Sequence, residues 1–154
     1  MPNPPLQATA KSGPRLSGKS FGLRRLMDPI SKEFLQQIGA EPLDANVVEQ
    51  FCASSNIMIE TFCNTVSRTI AVGYHRNELE WDFCDAAMNH VFRFMVSQVA
   101  DEKLSTFPEY AYGVYCAFDA GEYHRPTDPP NSSPEELYTR PLIAALLAAD
   151  GEST

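Results

Sequence analysis

The densest run of chemically capable side chains in this sequence is Phe118-Asp119-Ala120-Gly121-Glu122-Tyr123-His124-Arg125-Pro126-Thr127-Asp128. Asp119, Glu122 and His124, with Asp128 in reach, combine carboxylates with an imidazole, a donor set that suits zinc, manganese or iron. The spacing does not follow an EF-hand, which needs acids at alternating positions and a glutamate at the twelfth. A purely structural reading stands beside the metal reading. Asp119 is expected in the last turn of a helix, where exposed carbonyls disfavour a carboxylate, and Arg125 can offset that charge as a salt bridge.

A second acidic group, Glu78, Glu80, Asp82 and Asp85, falls at the expected start of another helix, where carboxylates complement the macrodipole. Glu78, Asp82 and Asp85 also lie at steps of four and three and so share one side of that helix, with Trp81 beside them. A tryptophan among acids can anchor a basic partner, or it can sit at the edge of the core. Five of the six tyrosines lie between Tyr110 and Tyr138, and Tyr123 falls inside the acidic run itself. Rings of this kind, apolar in body and polar at the tip, suit an interface and a core edge equally.

The remaining reactive residues point away from catalysis. Cys52, Cys63, Cys84 and Cys116 each follow an aromatic residue, contain no Cys-x-x-Cys pair and match no zinc module in their gaps. They read as free core thiols suited to a reducing cytosol. Cys84 and His90 on one helix point about 120° apart, so they do not form a thiolate pair. His75 reads as a helix-end cation and His90 as a surface or core-edge residue. Gly13-Pro14-Arg15-Leu16-Ser17-Gly18-Lys19-Ser20 satisfies the phosphate-loop pattern literally. That chemistry needs a buried strand before the loop and a helix after it. Asn3 to Ala10 is no hydrophobic strand and Phe21 to Arg25 is a poor first turn, so the match reads as coincidence.

Elements that would position these residues are legible from periodicity and punctuation. Asp28-Pro29 opens a helix that Gly39 is expected to end. Val48, Cys52, Ile59, Cys63, Val66 and Ile70 trace one face of a long helix from Asp44 to Val72, closed by Gly73, which Ser54-Ser55-Asn56 can kink or split. Asn77 and Glu80 resemble a capping box for a third helix with Cys84, Met88, Val91, Met95 and Val99 on one face. Phe83, Phe92, Phe94 and Val96 widen its apolar surface, which places it at the centre of a bundle. Tyr110 to Phe118 forms a fourth helix; a strand there would have nothing to pair with. Ser133-Pro134-Glu135-Glu136 starts a further helix, and Pro141 is expected to interrupt it before Leu142 to Ala149.

The chain has 154 residues, 44% apolar, with a net charge of −8. No apolar run reaches the roughly 20 residues of a membrane-spanning helix, and no secretory h-region is present. The net charge divides unevenly. Residues 1 to 25 carry five basic residues and no acid, whereas the remainder carries seven basic residues and all twenty acids, or −13. The expectation is therefore an all-α, irregular bundle of five or six helices at 27–150, behind a disordered basic tail at 1–26. Functionally, the sequence suggests a non-enzymatic, cytoplasmic acidic protein that engages a basic protein partner, for example a toxin-neutralising, immunity-type inhibitor. Glu78, Trp81, Asp82, Asp85 and Tyr123 would contact that partner. Like-charge repulsion argues against direct nucleic-acid binding by the body, and no membrane association is expected. The alternative is a small enzyme with a divalent metal on Asp119, Glu122 and His124; otherwise no cofactor is expected.

Overall fold

The computed structural model describes residues 30–151. The basic tail at 1–26, its phosphate-loop match and the Asp28-Pro29 start signal lie outside the described residues. The described chain is all-α: α1 (Lys32–Ala40), α2 (Ala45–Ser55), α3 (Ile59–His75), α4 (Trp81–Ala100), α5 (Glu109–Asp119) and α6 (Arg140–Ala149), with a π-helical turn, Glu135–Thr139, leading into α6. Helix α4 packs against α1, α3 and α5. Its Cys84, Ala87, Met88, Val91, Phe94 and Met95 are buried, which confirms its expected central place. Met88, Val91, Phe94 and Met95 each contribute about 1.5 to 3 kcal/mol of transfer free energy when fully buried.

The starts of α1 and α2 follow local rules. Ser31 Oγ accepts from the Phe34 N–H at 3.2 Å, and Asp44 Oδ1 accepts from the Asn46 and Val47 N–H groups at 2.9 and 3.3 Å. The long helix expected from Asp44 to Val72 is two helices. It breaks at Asn56, which takes a left-handed φ of 59°, so the Ser54-Ser55-Asn56 patch splits it rather than bending it. Neither Gly39 nor Gly73 ends its helix. Gly39 lies inside α1 and Gly73 inside α3, where an added Cβ would meet the Phe83 ring and the Leu79 side chain respectively. Both residues permit close packing of the neighbouring element rather than a turn.

Two further starts differ from expectation. Asn77 has φ of 62° and stays outside the third helix, which begins at Trp81 after Glu80, whose side chain makes no cap bond. Glu78 and Glu80 therefore precede α4, and only Asp82 and Asp85 lie within it. Helix α5 also lacks a side-chain cap of its own. Asn64 of α3 supplies one from 47 residues away, its Oδ1 accepting from the Ala111 N–H at 2.9 Å. Pro141 does not interrupt the last helix. Lacking an N–H, it cannot bond the Leu137 carbonyl, and the chain widens into the π-turn, with the Arg140 N–H bonded to the Glu135 carbonyl, before continuing as α6.

Candidate functional site

The Asp119 to Asp128 run is organised around Arg125. Arg125 Nη1 donates to the carbonyls of Ala120 at 2.7 Å and Tyr123 at 2.8 Å, satisfying chain ends just beyond α5. Its guanidinium lies 3.7 Å from the Tyr138 ring centre and 4.4 Å from that of Tyr123. Asp128 closes the loop by accepting from the Arg125 N–H at 2.8 Å and from the Tyr138 hydroxyl. The Arg125 backbone N–H, followed by the Tyr138 hydroxyl, holds the Asp128 carboxyl below the usual carboxylate range. Arg125 thus compensates helix-end carbonyls, where a salt bridge to Asp119 was expected. The metal set is not assembled. His124 is exposed with Nε2 2.7 Å from the Ser132 carbonyl, and among the described residues no group of three or more His, Cys, Asp or Glu stands close enough to hold a metal ion.

Trp81 is turned inward. It packs on the core and its Nε1 donates to Thr139 Oγ1 at 3.1 Å; Thr139 is buried and donates in turn to the Ala117 carbonyl at 2.8 Å. The indole therefore ties α4 to the π-turn and does not project as a partner anchor. Glu78 is exposed in the turn before α4, away from any shared helical side with Asp82 and Asp85. Tyr123 is 55% exposed, with its ring against Arg125. The cysteines are free: Cys52, Cys63 and Cys84 are buried, and burial pushes the thiols of Cys63 and Cys84 up to about 12. The thiols of Cys63 and Cys84 are not ionised at neutral pH.

The acids that do converge come from the two expected groups together. Asp85 of α4 lies within the field of Glu122, just past α5; Asp119 and Asp82 add charge, and Asn89 Nδ2 donates to Asp85 at 3.3 Å. Burial, then the Glu122 charge, pushes the Asp85 carboxyl up to about 7. None of the ion pairs among the described residues reaches Asp85, Asp119 or Glu122. Along α4, Asp85, Asn89, Phe92 and Val96 recur at steps of four, three and four. Tyr112, Tyr115, Asp119 and Glu122 recur at three, four and three along and just past α5. The two rows run antiparallel, so acid meets acid at one end and ring meets ring at the other. Phe92 and Tyr115 stack at 4.1 Å with planes 8° apart, and Phe107 and Tyr112 stack at 5.3 Å. Tyr112 and Val96, 41% and 42% exposed, leave the apolar end open to solvent.

Sequence reasoning identified Asp85, Asp119 and Glu122 but assigned them to separate groups, and it did not single out Phe92 or Tyr112. The available signal was the i, i+3, i+4 recurrence of ring and acid on the polar side of each helix. Pairing the two rows needed the packing of α4 on α5. A second exposed surface, a groove lined by Val47, Gln50, Phe51, Ala53 and Ser54 on α2, contains no ionisable group and offers no chemistry. No protein-family model, no curated protein and no solved structure matches this chain. Among the described residues no helix is long and apolar enough to cross a membrane.

Proposed function

We propose that this is an acidic, non-enzymatic binding protein of the reducing cytosol, whose basic protein partner docks on the α4–α5 face formed by Asp85, Asp119, Glu122, Tyr112 and Tyr115. An inhibitor that neutralises a basic toxin or another nucleic-acid-acting protein fits this reading. The observation that supports it is a carboxylate cluster that no ion pair among the described residues reaches, beside exposed stacked rings: burial and the negative charges of Glu122, Asp119 and Asp82 raise the proton affinity of Asp85, and such a group of acids attracts a cation. Stacked aromatics next to it supply rigid contact area at low entropic cost. The free, buried cysteines suit a reducing compartment.

The test is affinity capture from native lysate with wild type and with an Asp119→Lys, Glu122→Lys double variant, at low and high salt. A discrete basic protein retained by wild type, released by salt and absent from the variant is the expected result, since pairs at an exposed rim are screened. The same proteins on both baits would remove the α4–α5 face from consideration.

A further inference from the structure

The geometry points to an arginine-bearing segment, rather than a lysine-bearing one, as the occupant of the α4–α5 face: its guanidinium packs on Tyr112 and Tyr115 against Asp119 and Glu122, and a neighbouring apolar side chain rests on Val96. This inference rests on the partner-binding reading above and specifies the chemistry of the partner. Charge complementarity selects a cation, because the principal charges acting on Asp85 are the negative ones of Glu122, Asp119 and Asp82. The rings then select among cations. Tyr115 and Asp119 are four apart on α5 and therefore adjacent on its surface, and the charges of Asp119 and Glu122 act directly on the Tyr115 hydroxyl. A planar, weakly hydrated guanidinium can lie on a ring and pair with a carboxylate at once. A compact ammonium keeps its water and makes only the charge contact.

The molecule shows this division within itself. Arg125 seats between Tyr138 and Tyr123, and Arg140 lies 4.5 Å from the Tyr74 ring centre while its Nε pairs with Glu136 at 3.2 Å. Lys103 meets Glu49 at 2.7 Å as a point contact. The α4–α5 face repeats the ring-plus-carboxylate half of the arginine arrangement, and no ion pair among the described residues supplies its cation. Tyr112 and Asp119 are two turns apart, about 10 Å along the axis. An extended segment covers the length of this face in about three residues, so its arginine and its apolar side chain fall within that spacing of each other.

The experiment uses the full chain and two fluorescein-labelled synthetic peptides that place a leucine three residues from an arginine, or from a lysine in the twin, read by anisotropy at low salt. The arginine peptide should bind about 3- to 10-fold tighter than its twin. That ratio should fall to near one in Tyr115→Leu and in Tyr112→Leu, while Tyr115→Phe keeps it. If Tyr115→Leu loses its fold, the exposed Tyr112 position carries the comparison. Equal binding of the two peptides by wild type overturns the arginine inference and leaves partner binding standing. A ratio unchanged in both leucine variants overturns the placement on the tyrosines. Binding of neither peptide overturns the partner reading along with it.

Discussion

Two acidic, tyrosine-bearing regions lie one behind the other at the end of α5, and they differ by a single cation. In the loop, Asp128 accepts from Arg125 and Tyr138, and its carboxyl is held below the ordinary value. On the ridge, Asp85 meets Glu122 with Asp119 and Asp82 nearby, and its carboxyl rises to about 7. Similar residue types yield a closed structural knot in one place and an open, charge-frustrated surface in the other. The first has satisfied its own electrostatics. The second meets that demand by holding a proton on Asp85 up to about 7.

Gly121 sits at the junction of the two regions, and changing it should produce the largest effect. A Cβ there would meet Thr139 Oγ1 and come within 3.1 Å of Trp81 Nε1, displacing the hydrogen-bonded pair that ties α4 to the π-turn. Gly121→Val should cost about 3 to 4 kcal/mol, combining overpacking with loss of buried hydrogen bonds, as read by chemical denaturation. Arg125→Ala comes next at about 2 kcal/mol, because two carbonyls and two ring faces lose their cation together. Arg125→Lys should recover less than half of that loss. Full recovery by lysine would mean that charge alone, without stacking, holds the loop.

These two positions also show what sequence reading reaches. The helical class, the central place of α4 and its buried face followed from a 3.6-residue period that the core enforces directly. Boundaries were less legible. Gly39 and Gly73 serve close packing, a role that depends on Phe83 and Leu79 of other segments. The cap on α5 comes from Asn64, far away in the chain. The two acids and the imidazole at 119, 122 and 124 had metal-like composition, yet composition does not fix direction: His124 turns to Ser132 and Glu122 lies against Asp85. Likewise Trp81 was visible as an aromatic among acids, but only the packed π-turn decides that its N–H points inward.

Asp85 offers a smaller and more specific test of the ridge. Its carboxyl is bound to a proton in the folded chain up to about 7, whereas the unfolded chain releases it near the model-compound value of 3.8. Between those values the native state holds the extra proton, so stability falls as pH rises through this window. Discounted for solvent screening, the loss is on the order of 1 to 2 kcal/mol. Asp85→Asn should therefore stabilise the protein at pH 7 by about 1 kcal/mol, raise its melting temperature by a few degrees, and flatten the slope between pH 4 and 7. A variant no more stable than wild type at pH 7, with an unchanged slope, would show that the ridge is not electrostatically frustrated.

The smallest expected stability change belongs to Glu122→Arg, which supplies in cis the cation that the loop has and the ridge lacks. Glu122 is exposed, so the new pairing with Asp85 and Asp119 should add only about 0.5 kcal/mol, the scale of a surface ion pair. It should also bring the Asp85 carboxyl part of the way back towards the ordinary value, lessening the fall in stability between pH 4 and 7 while the contribution of burial stays. Binding should respond far more strongly. With one acid lost and a cation already seated beside Tyr115, affinity for the arginine peptide should drop by about 10-fold or more. Thermal melts across pH and anisotropy on the same preparation separate the two quantities. A near-neutral effect on folding combined with a large loss of binding is the signature of a surface kept open for a partner. Destabilisation with binding intact would instead make the ridge a second structural knot, held together by its shared proton as the loop is held by Arg125.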